Sequence, residues 1–154
     1  MTYRIQGLAP AAFESLFSMT DGELAENGAQ RVVAKASRGF PCRISLQDAT
    51  EGEELILLHH VSHDVATPYR SAYAIYVRKD VEPARFTDET PPVFEGRPLG
   101  LRGFDTEGML KDALLALPGE ADAKIRQLFA NPAIATIHAH NAAHGCFAAR
   151  IERN

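Results

Sequence analysis

The chain has 154 residues, 45% of them hydrophobic and 23% charged, with a formal net charge of −4. That length predicts a single domain over residues 1–154, and a chain of this size buries roughly 70% of its unfolded surface, so it needs neither metal nor disulfide to fold. The acidic balance and the absence of a basic run argue against nucleic acid as a partner, and no apolar stretch approaches the ~20 residues of a membrane span.

The opening MTYRIQGLAPAAF lacks the basic-then-apolar order of a secretory leader. Two cysteines without an export signal predict a cytoplasmic protein with free thiols. Residues 2–8 alternate as a short strand. Pro10 suits the first position of a helix, and Phe13, Leu16 and Phe17 at i, i+3, i+4 predict a short amphipathic helix over 10–18. Thr20 and Glu23 match a capping box, so a second short helix follows and stops before Gly28.

After Gly28 the period becomes two. Residues 30–36, 42–48, 54–61 and 71–79 read as strands, with turn signals at GFP before Cys42 and EGE after Thr50. Leu55, Ile56, Leu57 and Leu58 are apolar on both faces, which predicts a central strand. Pro83, Pro91, Pro92 and Pro98 punctuate an irregular segment over 80–98, read as a lid or as a rigid crossing. Residues 101–110 are ambiguous, with a turn at 106–108. Ala121, Ile125, Leu128 and Phe129 predict a helix over 120–130, ended by Asn131 and Pro132. Two strands, 133–141 and 147–153, close the chain as a hairpin. The expected class is therefore α+β: a mainly antiparallel sheet, an N-terminal pair of short helices, one later helix and a C-terminal β-hairpin.

That hairpin carries the densest chemistry. His138, His140, His144 and Cys146 fall within nine residues. Strand alternation puts His138 and His140 on one face and Ala135, Ile137 and Ala139 on the other. The second strand divides into an apolar face of Phe147, Ala149 and Ile151 and an opposite face of Cys146, Arg150 and Glu152. Coincident apolar faces allow two registers. One sets Asn141 opposite Phe147 and His138 opposite Arg150; the other sets Ala139 opposite Phe147 and His140 opposite Cys146. Both place His138, His140, Cys146 and Arg150 on one side, opposite an alanine-rich face that a helix could approach closely.

Three chemistries fit such a face. A metal reading uses His138 and His140 with His144, Cys146 or one of His59, His60 and His63 as third ligand, a donor set suited to a transition metal such as zinc; the surrounding residues do not match a cupin. A nucleophile reading pairs Cys146 with a histidine. Cys42 is the weaker thiol, because it alternates with Ile44 and Leu46 toward an apolar face. A binding reading uses Arg43, Arg70, Arg150 and Asn141 to hold a small anion, since guanidinium forks match carboxylate and phosphate. Against all three stands a solvated polar face, or a buried histidine bonded to a backbone carbonyl.

The segments GFPCRISL (39–46), PYR (68–70) and HAHNAAHGCFAAR (138–150), with the opening YRIQGLAP, resemble a bacterial family catalogued as domain of unknown function 1203. The resemblance runs over nearly the whole chain, and HxHN…GCFxAR is its most specific part. It implies a single-domain bacterial protein of the cytoplasm, and it brings no activity, cofactor or catalytic residue with it. The leading functional expectation is an enzyme acting on a small anionic molecule. His138, His140 and Cys146 would be catalytic or metal-assisted, and Arg43, Arg70, Asn141 and Arg150 would bind substrate. The alternatives are a non-catalytic ligand-binding or regulatory module and a homodimeric interaction protein.

Overall fold

The computed structural model describes all residues, 1–154. In chain order the elements are β1 (Tyr3–Gln6), α1 (Asp21–Glu26), β2 (Gln30–Val33), β3 (Glu54–His63), β4 (Ser71–Arg78), β5 (Arg85–Thr87), β6 (Leu99–Phe104), β7 (Leu110–Ala116), α2 (Ala121–Phe129), β8 (Thr136–Asn141) and β9 (Phe147–Arg153). A six-stranded sheet runs β5-β1-β9-β8-β6-β7, and a three-stranded sheet runs β2-β3-β4 with β3 at its centre. All strand pairs are antiparallel. The class is α+β, as expected.

Each sheet has its own core. On the large sheet Ile5, Leu101, Ile137, Ala139, Ala149 and Ile151 are buried in one cluster with Ile125, Leu128 and Phe129 of α2. The small side chains of Ala139 and Ala149 leave room for the helix. The small sheet buries Ile56, Leu58, Ile75 and Val77 with Phe13 and Leu24 from the N-terminal segment.

The N-terminal segment departs from a single helix over 10–18. It makes two separate 3-10 turns, Pro10–Ala12 and Glu14–Ser18, broken at Phe13, whose φ is −121°. So short a segment pays the full cost of helix nucleation for few hydrogen bonds. Phe13 gains more by turning into the small-sheet core. The cap of α1 forms as expected, with Thr20 Oγ1 accepting from the Glu23 amide at 3.2 Å.

Residues 42–48 are a correction, for they form a tight loop rather than a strand. The loop is closed by a bridge between Pro41 and Asp48. Leu46 takes a φ of 52°, incompatible with an extended run. Cys42 Sγ accepts from the amides of Ile44 (3.4 Å) and Ser45 (3.5 Å), and from Arg78 of β4 at 3.3 Å. The apolar alternation was real, but the buried side chains cap a turn. The ambiguous 101–110 stretch becomes the β6–β7 hairpin, whose turn is held by Asp105 Oδ1 accepting from Glu107 and Met109, each at 2.9 Å. Segment 80–98 supplies edge strand β5 and a 3-10 turn that buries Val93 and Phe94.

The terminal hairpin follows the first register, with His138 opposite Arg150 and Ala139 opposite Ala149. A bulge then sets His140 opposite Phe147, leaving Ala148 as the extra residue. This corrects the placement of Phe147: its ring leaves the alanine face and joins the histidines.

The 42–46 loop packs directly under the end of β1. A Cβ on Gly7 would stand 1.7 Å from the Ile44 carbonyl oxygen. Gly7→Ala is therefore expected to destabilise the protein by about 3 kcal/mol, read as a drop in the urea midpoint with an unchanged slope.

Candidate functional site

The histidine face of β8 does not meet water. It meets the small sheet, and His138 and His140 are 1% and 3% exposed. Around them lies an aromatic layer drawn from several strands. His63 stands edge-on to His138 with centroids 4.9 Å apart, and Phe104 lies 4.1 Å from His63. Phe147 is 5.5 Å from His138 and 6.0 Å from His140, and Tyr73 is 4.9 Å from His140. Arg102 Nη1 donates to Tyr73 Oη at 3.0 Å.

Hydrogen bonding fixes two of the imidazole tautomers. A carbonyl can only accept, so His140 Nδ1–H donates to Gly145 O at 3.0 Å and His63 Nε2–H donates to Gly108 O at 3.0 Å. His138 Nε2 has no partner. Burial pushes His138 down to about 3, with His63 and Arg150 adding to the effect. It pushes His140 down to about 4 against the opposing pull of the Gly145 carbonyl. At neutral pH these rings are uncharged and packed, a layer that joins two sheets.

A second locus lies at the hairpin tip. There the β8–β9 turn, the 39–43 segment and strands β3 and β4 enclose a cleft of about 490 Å³, within the usual range of small-molecule sites. Arg43, Asn141, His144 and Cys146 form its polar wall, and Leu57 and Tyr76 are among its apolar lining. Cys146 is half-buried, and Cys42 is fully buried; both are free thiols. The Cys146 Sγ lies against the His144 carbonyl rather than an imidazole.

Arg43 is the unusual member. It is only 3% exposed. Its Nε donates to Phe147 O at 2.8 Å and its Nη1 to Pro41 O. These are neutral acceptors, and no carboxylate pairs with it. Desolvation lowers its pKa to about 10, with the Cys146 and Cys42 sulfurs acting the other way. A guanidinium taken out of water without an anion is expensive, and its Nη2 makes no hydrogen bond within the chain. Asn141 Oδ1 is buried without a partner.

A family model described as protein of unknown function (DUF1203) matches residues 39–153. The chain belongs to the DUF1203 family. No curated protein and no solved structure matches it. The DUF1203 match takes in both loci: the loop from Gly39 through Arg43, and the whole terminal hairpin. The two 3-10 turns and α1, with Phe13 and Leu24, precede it.

The remaining predicted residues are dispersed. Arg150 is half-exposed and pairs with Glu152 at 2.8 Å. Arg70 pairs with Asp64 at 3.1 Å on the surface. Arg43 is thus the one arginine of the three at the tip cleft. His144 is exposed in the turn, remote in role from the packed pair His138 and His140, and no three His, Cys, Asp or Glu side chains converge to hold a metal ion. Cys146 faces the cleft and not the imidazoles, because the bulge hands its expected place to Phe147. Tyr73, Arg102 and Phe104 were not singled out from the sequence. Arg102 had a usable signal, since it lies opposite His138 on β6, but only once 101–110 is known to pair with β8.

The buried imidazoles set a pH dependence. Unfolded histidine binds protons below about 6.5, whereas the folded rings do so only near 3 and 4. Between those values the unfolded chain binds more protons, so stability is full above pH 6.5 and falls as pH falls. From pH 7 to pH 5 the loss is about 2 kcal/mol per histidine. His138→Phe, which also removes an unpartnered nitrogen, is expected to raise stability at pH 5 and halve the acid dependence, as read from urea midpoints at pH 5, 6 and 7. An unaltered dependence would show that His138 is not buried neutral.

Proposed function

We propose that this protein binds a small organic anion in the cleft at the hairpin tip, as a ligand-binding module in which Arg43 is the anion-recognising group. The observation that carries the reading is the buried Arg43 guanidinium in the cleft wall, held by two carbonyls and matched by no carboxylate. An anion there would supply the charge-assisted partner that the fold leaves out. Reaction by the histidine pair is disfavoured, since both rings are neutral, packed and closed off by Phe147 and Tyr73. The same reading extends to a cytoplasmic setting, which two free thiols support.

Cys146 makes a built-in reporter, since it borders the cleft while Cys42 is fully buried. Benzoate at millimolar concentration is expected to raise the melting temperature and to slow alkylation of Cys146 by iodoacetamide. Ten-fold excess over Kd corresponds to about 1.4 kcal/mol of stabilisation. Arg43→Met should remove both effects. If benzoate and other small carboxylates leave both readouts of the wild-type protein unchanged, no anion site exists at the tip.

A further inference from the structure

Resting on that reading, the charge of the cleft restricts which anion fits. Two guanidiniums border it, those of Arg43 and Arg97, and no Asp or Glu does. The two differ in what they face. Arg43 meets only neutral carbonyls. Arg97 is held by Asp48 in a two-pronged pair, Nη1 to Oδ2 at 3.0 Å and Nη2 to Oδ1 at 2.7 Å. Both side chains are largely out of water, 15% and 13% exposed, so salt screens the pair little. The Asp48 carboxylate is itself fixed, because its Oδ1 also accepts from the amides of Gly39 and Phe40 at 3.1 Å each. Arg97 is fixed too, its Nη1 donating to Val93 O at 2.8 Å.

The consequence is a count of charge. Asp48 cancels Arg97, and the cleft keeps the single positive charge of Arg43. A monoanion balances that charge. A dianion would leave one negative charge unmatched in a partly apolar site, which is costly. The rest of the lining includes Pro41, Leu57, Tyr76 and Pro98, so an apolar body on the anion removes further apolar surface from water. Without the Asp48 charge the same wall would carry two free guanidiniums, an arrangement suited to phosphate.

We infer that the Asp48–Arg97 pair sets the specificity of the tip cleft: by neutralising the second guanidinium it makes the cleft a site for an organic monoanion with an apolar body, such as an aromatic monocarboxylate, and turns dianions away.

The test is made at pH 8, above the titration range of ordinary imidazole and with phenyl phosphate a dianion. Binding of benzoate, acetate and phenyl phosphate to the whole protein is measured by calorimetry and by protection of Cys146 from alkylation. Benzoate is expected to bind at least about ten-fold more tightly than acetate, from burial of its ring, and at least about ten-fold more tightly than phenyl phosphate, from the unmatched second charge. Asp48→Asn keeps an oxygen for the Gly39 and Phe40 amides and removes the charge. It should raise the affinity for phenyl phosphate relative to benzoate at least about ten-fold. Arg97→Gln leaves the Asp48 carboxylate uncompensated beside the cleft and should weaken benzoate by about the same factor. Phenyl phosphate binding the wild-type protein as tightly as benzoate would overturn the charge count, and acetate doing so would overturn the apolar body; both outcomes leave the anion cleft standing. An unchanged ratio in Asp48→Asn, or unchanged benzoate binding by Arg97→Gln, would overturn the role of the pair. Failure of all three anions to bind would overturn both this inference and the cleft reading beneath it. The wild-type ratios and Arg97→Gln decide the matter even if Asp48→Asn does not fold.

Discussion

The Arg43 guanidinium joins the parts of this molecule that no strand ladder joins. Its Nε reaches across the chain to the carbonyl of Phe147, the first residue of β9, and its Nη1 closes on the carbonyl of Pro41. Its own backbone is tied on both sides, with the amide donating to Tyr76 O of β4 and the carbonyl accepting from Leu8 after β1. Cys42 beside it takes the Arg78 amide on its sulfur. One short loop therefore meets the exit of β1, the end of β4 and the start of β9. The Phe147 carbonyl is free for this contact because the bulge interrupts the β8–β9 ladder there. Without the guanidinium that carbonyl would be buried and unmatched, at a cost of about 1–3 kcal/mol.

The same bulge explains the histidine layer. Turning Phe147 toward the small sheet fills the space between His138 and His140 with an apolar ring. An enclosed imidazole can be fixed in place by donating a ring N–H to a carbonyl. His140 does this for Gly145 and thereby holds the tip next to Cys146; His63 does it for Gly108 and holds the β6–β7 turn. The two rings act as buried clamps on loops at opposite ends of the layer. His138 has no such carbonyl, so hydrogen bonding does not account for its identity, and its edge-on contacts with His63, Phe104 and Phe147 are its tie to the layer.

What was legible in the sequence was whatever depends on local period. Alternation separated His138 and His140 from Ala139, and the small residues on that second face do border the core shared with α2. The central position of β3 followed from its two-sided apolar run. What was not legible depends on single-residue events or distant partners. A bulge is one extra residue with no compositional mark, and it moved Phe147 from one face to the other. Leu46 at positive φ turned an alternating segment into a loop. The sequence offered Arg43 as an anion-binding residue but gave no sign of its burial, because its acceptor lies 104 residues away in the chain. Its burial, and with it the cleft, comes from three segments that only tertiary structure assembles.

If the cleft takes an anion as proposed, stability and recognition at the tip are one quantity rather than two. Two carbonyls compensate Arg43 in part, and what remains is the desolvation of a charge facing a cleft. Adding a carboxylate to the wall would neutralise it and close the site; removing the guanidinium would strand the Phe147 and Pro41 carbonyls. An anion bound there, as proposed, would satisfy the cation and leave both carbonyl bonds intact. Its binding would then strengthen the same contact that holds the 41–46 loop to β9. The half-buried Cys146 lies in the segment that leads into that contact, so its reactivity reports on the state of the junction as a whole.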